Sequence, residues 1–201
     1  MARRASTIRF FKPEEPFGFL CNFSPHPILF KTPRFDPRRR VHYEEELEYS
    51  TSEHLYQARK FIYPDAPRDN LIYVELIRTA STPFKAKILG HQELSKRGTP
   101  QYQWRLQLDE VIKKYPQVLP NPDWEEQKLE VMYEVLIDKF TQNEEIQAEL
   151  LATGSATLQE NSHYDDFWGI GKDKTGENHL GRLLMRLREE LKVIQEATAV
   201  E

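Results

Sequence analysis

A chain of 201 residues with 39% hydrophobic and 30% charged residues can bury a well-formed core, and no apolar run approaches the ~20 residues that a membrane helix needs. Its net charge of -4 excludes a global attraction to nucleic acid or an anionic membrane, so any polyanion must be met by a local basic site. A single cysteine, Cys21, excludes an internal disulfide, and MARRASTIRFF at the start lacks a signal-peptide apolar segment, so the expected setting is intracellular, cytoplasmic or nuclear.

In chain order, TIRFF at 7–11 reads as a short strand. FGFLCNFSPHPILF (17–30) is a turn-rich aromatic segment leading into a second strand near 28–31. A long hairpin excursion follows over 31–47, whose RRR and EEE runs read most simply as a solvated loop, with a returning strand near 47–49. Ser50 with Glu53 three residues on fits a capping box opening the first helix, predicted to reach about Ile62. A second helix is predicted over 69–79. In STPFKAKILG, Thr82 caps a third, Pro83 stands in its first turn, and Gly90 terminates it. A short helix is predicted over 104–115, stopped by Pro116. NPDWEEQKLEVMYEVLIDKF opens the next, with Pro122 and several acids in its first turn and Leu129, Met132, Tyr133, Leu136 and Phe140 as its core stripe. NEEIQAELLAT (143–153) is a shorter helix ended by Gly154. After an irregular stretch, Leu180, Leu183, Leu184, Leu187, Leu191 and Ile194 mark a final helix. The expected fold is α+β: one mostly helical domain over 1–201 with a few N-terminal antiparallel strands and no doubly wound parallel sheet.

The commonest catalytic motifs are missing: there is no Walker loop, no GxSxG and no GxGxxG. The six histidines show no metal-ligand spacing, so neither a metal nor a cofactor is expected. Chemistry must be sought in individual residues. In STSEHLYQARKF (50–61), Glu53, Gln57 and Lys60 stand four and three apart, within roughly 60° of each other on a helix. They are either the wet face of that helix, with Glu53 serving its cap, or an acid and an amine lining a cleft. Trp124 lies ~140° from the core stripe of its helix, so it either buries a second face or forms a wall on which a flat heterocycle stacks. The loop NSHYDDFWGIGKDKTGENHLG (161–181) is long for a compact domain, and Gly169, Gly171 and Gly176 would let backbone amides approach a phosphate.

Five blocks, in order, resemble the YbiA-like, or NADAR, family: FGFLCNFSPHPI, STSEHLYQARKF, DWEEQKLEVMYEVLIDKF, LLATGSATLQENSHYDDFWGIG and GENHLGRLLMRLREEL. The resemblance covers roughly residues 8–193. It implies an N-glycosidase that cleaves between ribose C1 and an exocyclic amine of a base. Two substrate classes follow from it: ADP-ribosylated guanine in nucleic acid or nucleotides, ranked first because the segments 31–47 and 91–120 look longer than in compact members, and ribosylamino-pyrimidine phosphates of the riboflavin pathway. A non-catalytic ADP-ribose-binding module ranks below both. The resemblance assigns catalytic roles to Glu53, Lys60 and Asp165. Substrate binding is expected at Trp124, Asn22 and Asn178, which match the family's tryptophan and asparagines, and at His54, Gln57, Trp168 and Gly169 in the same blocks. Cys21 departs from the serine common at that place. No membrane and no obligate protein partner are implied.

Such a linkage can open to an imine at C1, which makes an amine nucleophile useful. Lys60 would displace the base by transimination, provided desolvation or a cationic neighbour leaves some of it neutral. Glu53 would move protons, Trp124 would hold the base, and Asp165 would bind sugar hydroxyls or assist proton transfer. The alternative is direct hydrolysis with Glu53 and Asp165 as the carboxylates and Lys60 binding phosphate.

Overall fold

The computed structural model of the chain describes residues 6–91, 110 and 113–198. The chain forms two compact units, one built from Pro27–Val131 and the other from the stretches before and after it. Of the helix predicted over 104–115, residues 110 and 113–115 are described, with 110, 113 and 114 helical.

In the Pro27–Val131 unit, β2 (Ile28–Asp36) and β3 (Val41–Tyr49) pair antiparallel from Ile28↔Tyr49 to Asp36↔Val41. The expected loop excursion is therefore itself a β ribbon, and only residues 37–40 turn, with Arg40 at φ 56. The RRR and EEE runs are exposed as expected, while β2 is mostly half-buried with Ile28 and Thr32 covered. Helices α1 (Ser52–Arg59), α2 (Asp69–Arg78) and α3 (Pro83–Gly90) pack with it. Leu55, Ala58, Tyr73, Ile77 and Ala86 are fully buried, and the Phe61 and Tyr73 rings meet edge to face at 4.7 Å. These contacts supply the apolar burial that holds a unit with such short helices together.

The first helix departs from its predicted bounds. Its N-cap is Thr51, not Ser50, with extended backbone and a hydroxyl that accepts from the His54 N–H. Glu53 is thereby shifted out of the capping-box position, and the helix ends at Arg59 rather than near Ile62. Thr82 caps α3 as predicted, accepting from Lys85 N at 3.1 Å with Pro83 in the first turn. Gly90 is the last residue of that helix and not its left-handed terminator.

The other unit carries β1 (Thr7–Phe10), which pairs in parallel with β4 (Thr157–Glu160) in register Thr7↔Thr157 to Phe10↔Glu160. The sequence reading missed β4 and with it this parallel pair. Helix α6 (His179–Thr198) packs on β4 through Leu180, Leu184 and Leu187, while Ile194 is 59% exposed and outside the stripe assigned to it. Helix α5 (Glu144–Ala152) is followed by Gly154 at φ 62, the left-handed terminator that was expected.

Helix α4 spans Trp124–Gln142, starting two residues after Pro122. From it Lys139, with no exposed surface, donates to Phe19 O at 2.5 Å, Cys21 O at 3.0 Å and Ser24 Oγ at 2.8 Å. One ammonium thus organises the aromatic segment 19–24 around itself, with all three protons satisfied. The whole is α+β and mostly helical, and none of its described helices is long and apolar enough to cross a membrane.

Candidate active site

Helix α1 is buried from Ser52 through Ala58, so the polar stripe is not a wet face. Glu53 and Lys60 are each 5% exposed and Gln57 1%. Polar groups taken from water at this depth need partners. The Glu53 carboxylate accepts from Gln57 Nε2 at 2.7 Å, one helical turn on. Lys60, at the C-cap, donates to Gly90 O at 3.1 Å. That carbonyl ends α3, so the ammonium sits where the helix dipole favours a cation.

Aromatic faces close around the amine. Lys60 Nζ lies 5.3 Å from the Trp124 ring centroid and 5.9 Å from that of Tyr56, and the two rings stand 5.1 Å apart at 54°. Burial lowers the Lys60 pKa from 10.5 to about 8; the Glu53 and Glu125 carboxylates oppose the shift, and Lys87 and Lys128 assist it. Of the two alternatives set for an amine nucleophile, desolvation carries the shift; the carboxylates outweigh the cationic neighbours. His91, beside Gly90, is held down to about 3 by burial and by Lys60 and Lys87, so it is neutral at neutral pH.

Trp124 is placed by Asn121, a residue the sequence reading passed over. Asn121 N donates to Lys60 O at 2.7 Å, its side-chain oxygen accepts from Asp123 N, and its carbonyl accepts from Trp124 N. The Asn-Pro-Asp run before the helix was the available signal, since asparagine in that position turns the chain. Tyr56 was also missed, although it lies inside the STSEHLYQARKF block. His54 is used otherwise than expected. Its Nδ1 meets the Thr51 hydroxyl at 2.9 Å and its Nε2 meets Ala80 O at 3.0 Å, so neither ring nitrogen is left for a substrate.

In the other unit, Asp165 Oδ1 accepts from the backbone of Phe167 at 3.1 Å and Trp168 at 2.8 Å. Trp168 is half-buried, edge to face with Phe167 at 5.0 Å. A hollow of about 240 Å³ borders Asp165, with His163, Tyr164, Asp166 and Lys172 in its wall. The glycines do not form a phosphate cradle. Gly171 N donates to Asp165 O and Gly176 N to Ile170 O, while a side chain at Gly169 would meet Glu160 O at 2.9 Å. Gly169 and Gly176 let the loop pack closely on itself, and Gly171, at φ 68, takes a left-handed turn.

Asn178 stands at φ 54 with both ends of its amide committed, accepting from Glu160 N and donating to Leu158 O at 2.9 Å each. It clamps β4 to the start of α6. Asn22 differs. It is 8% exposed, its Nδ2 donates to Met132 Sδ at 3.4 Å, and its Oδ1 has no partner among the described residues. Among the described residues, no group of three or more His, Cys, Asp or Glu side chains could hold a metal ion.

An α+β chain that buries an acid and an amine on one short helix, against an indole, has the makings of a hydrolase with an amine in its site. The chain belongs to the NADAR family, whose domain model matches residues 9–192. An N-glycosidase of Nostoc punctiforme is 34% identical over 194 residues, covering 96% of this chain and 98% of that one. The N-glycosidase YbiA of Escherichia coli is 32% identical over 186 residues, covering 92% and 89%. The riboflavin biosynthesis protein PYRR of Zea mays is 34% identical over 184 residues, and the match takes in 92% of this chain but 25% of that protein. The NMR structure of E. coli YbiA superposes with a TM-score of 0.64 at 30% identity, covering 96% of this chain and 89% of that one.

Proposed function

We propose that this protein, an N-glycosidase by its family and its relatives, cleaves the bond between ribose C1 and an exocyclic amine of a heterocycle through a Schiff base on Lys60. The observation that carries the proposal is Lys60 itself: a buried amine with its pKa lowered to about 8, bounded by the faces of Trp124 and Tyr56.

The sugar ring first opens to an imine between C1 and the exocyclic nitrogen. Neutral Lys60 adds to C1, and a proton moves from its nitrogen to that of the base. The C1–N bond to the base then breaks, releasing the base with its free amine and leaving C1 bound to Lys60 as an imine. Water adds to that imine and lysine departs, giving the free sugar. The net change is hydrolysis. Glu53 carries the proton in each half, its carboxylate steadied by Gln57. Trp124 and Tyr56 provide the flat apolar surface on which a heterocycle stacks.

For the substrate, the riboflavin proteins among the relatives favour a ribosylamino-pyrimidine phosphate, which reverses the order set by segment length alone. ADP-ribosyl guanine has the same linkage and is the second reading. Incubating the protein with each and following base release ranks them. Borohydride during turnover should leave one sugar on Lys60. Turnover without an adduct would replace the lysine mechanism by direct hydrolysis.

A further inference from the structure

Glycine at position 90 has no conformational reason to be there. It is helical, with φ outside the left-handed region, and it is the last residue of α3. Its neighbours supply a different reason. A Cβ on residue 90 would lie 1.9 Å from Gln57 Oε1, 2.7 Å from Gln57 Cδ and 2.8 Å from Gln57 Cβ. The Gln57 amide fills the space where that side chain would be. In this pose Gln57 turns its Nε2 to Glu53 at 2.7 Å, and its Oε1 is buried with no hydrogen-bond partner among the described residues. A glutamine amide that leaves its oxygen unpaired to hold a carboxylate is fixed by sterics as well as by hydrogen bonding. The glycine's own carbonyl accepts from Lys60.

We infer that Gly90 is a positioning residue of the reaction: its missing side chain seats Gln57 against Glu53, and its carbonyl holds Lys60. The inference rests on the roles proposed above for Glu53 and Lys60. Gln57 is then also a positioning residue rather than a substrate ligand. Neither touches the sugar. Both set where the acid and the amine stand when it arrives.

A cycle of variants tests this. Gly90→Ala drives its Cβ into Gln57, which must rotate and release Glu53. A misplacement near 1 Å at a reacting group costs on the order of a hundredfold, so kcat should fall by about that much with KM within about twofold. Gln57→Gly removes both the amide and the Cβ in the way, and should show a similar loss in kcat. The double variant should then match Gln57→Gly alone, because nothing remains for the added methyl group to displace. Thermal melting of each variant separates loss of fold from loss of rate, since glycine inside α1 carries its own helix cost. Multiplying losses in the double variant, or unchanged kcat in Gly90→Ala, would overturn the inference. If the wild type turns over neither substrate class, the proposed function fails first. The same cycle is then read from the NMR titration midpoint of Lys60, expected near 8 in the wild type. Equal displacement of that midpoint in all three variants supports the inference, and no displacement in Gly90→Ala sinks it.

Discussion

Lys60 gives the sharpest quantitative test. At its lowered pKa of about 8, roughly a tenth of the amine is neutral at pH 7, against about 0.03% for a lysine at 10.5. Burial therefore raises the population able to attack C1 by about 300-fold at neutral pH. Between pH 6 and pH 8 the neutral fraction climbs from about 1% to about one half, so capture by borohydride should rise roughly fiftyfold and then level off. The assay is intact-mass detection of the reduced sugar adduct, localised by peptide mapping, alongside base release in the same tube. Lys60→Arg keeps a cation at Gly90 O and beside Trp124 but cannot deprotonate, so adduct and base release should disappear together. Linkage gives a second reading. The native pKa lies below the unfolded one, so the unfolded chain binds more protons between about 8 and 10.5, and this residue's contribution to stability must rise with pH across that window. Denaturant melts of wild type against Lys60→Met should diverge in that direction. Full base release in a protein that never gives an adduct, or capture flat from pH 6 to 8, would refute the argument.

Glu53→Gln retains an oxygen to accept from Gln57 but cannot carry a proton, so kcat should fall by about 10²–10⁴-fold with the fold intact by circular dichroism. Asn178→Ala strips the partners from Glu160 N and Leu158 O, and should cost about 2 kcal/mol or more, read as a lower Tm, while the folded fraction keeps its kcat. If Asn178 bound substrate, KM would rise instead. Base release should be unchanged in EDTA, and loss restored by a divalent ion would reverse this.

The spacing of four and three in α1 was legible because a helix projects such residues to one side whatever surrounds it. What covers that side was not. A sequence shows the stripe Glu53–Gln57–Lys60 but not what covers it, so composition favours a solvated face with a capping glutamate, and the burial of all three residues overturns that. Trp124 was undecided between a second buried face and a stacking wall, and it is both buried and turned to Lys60. Asn178 was assigned from the resemblance to substrate, yet its left-handed backbone and two committed amide ends make it a clamp. Nothing in GENHLG distinguishes those roles. β4 escaped because TLQE is four residues long with one buried apolar side chain, below what period-two reading can detect. The ribbon escaped because exposed strands and charged loops have the same composition.

Two buried lysines show why burial alone does not mark a functional amine. Lys139 has no exposed surface, and burial lowers its pKa from 10.5 to about 7, further than that of Lys60, yet its ammonium donates to three oxygen acceptors. Lys60 is nearly as deep but has one hydrogen bond to an oxygen among the described residues, and otherwise meets ring faces, which attract a cation without accepting its protons fully. An amine in the first setting is held to order a segment of chain. In the second it is left short of acceptors, against the ring faces of Trp124 and Tyr56. Reactivity is thus predicted by the count of acceptors rather than by depth. Lys139→Met should lower the Tm without altering adduct chemistry in the folded protein, whereas Lys60→Met should do the reverse.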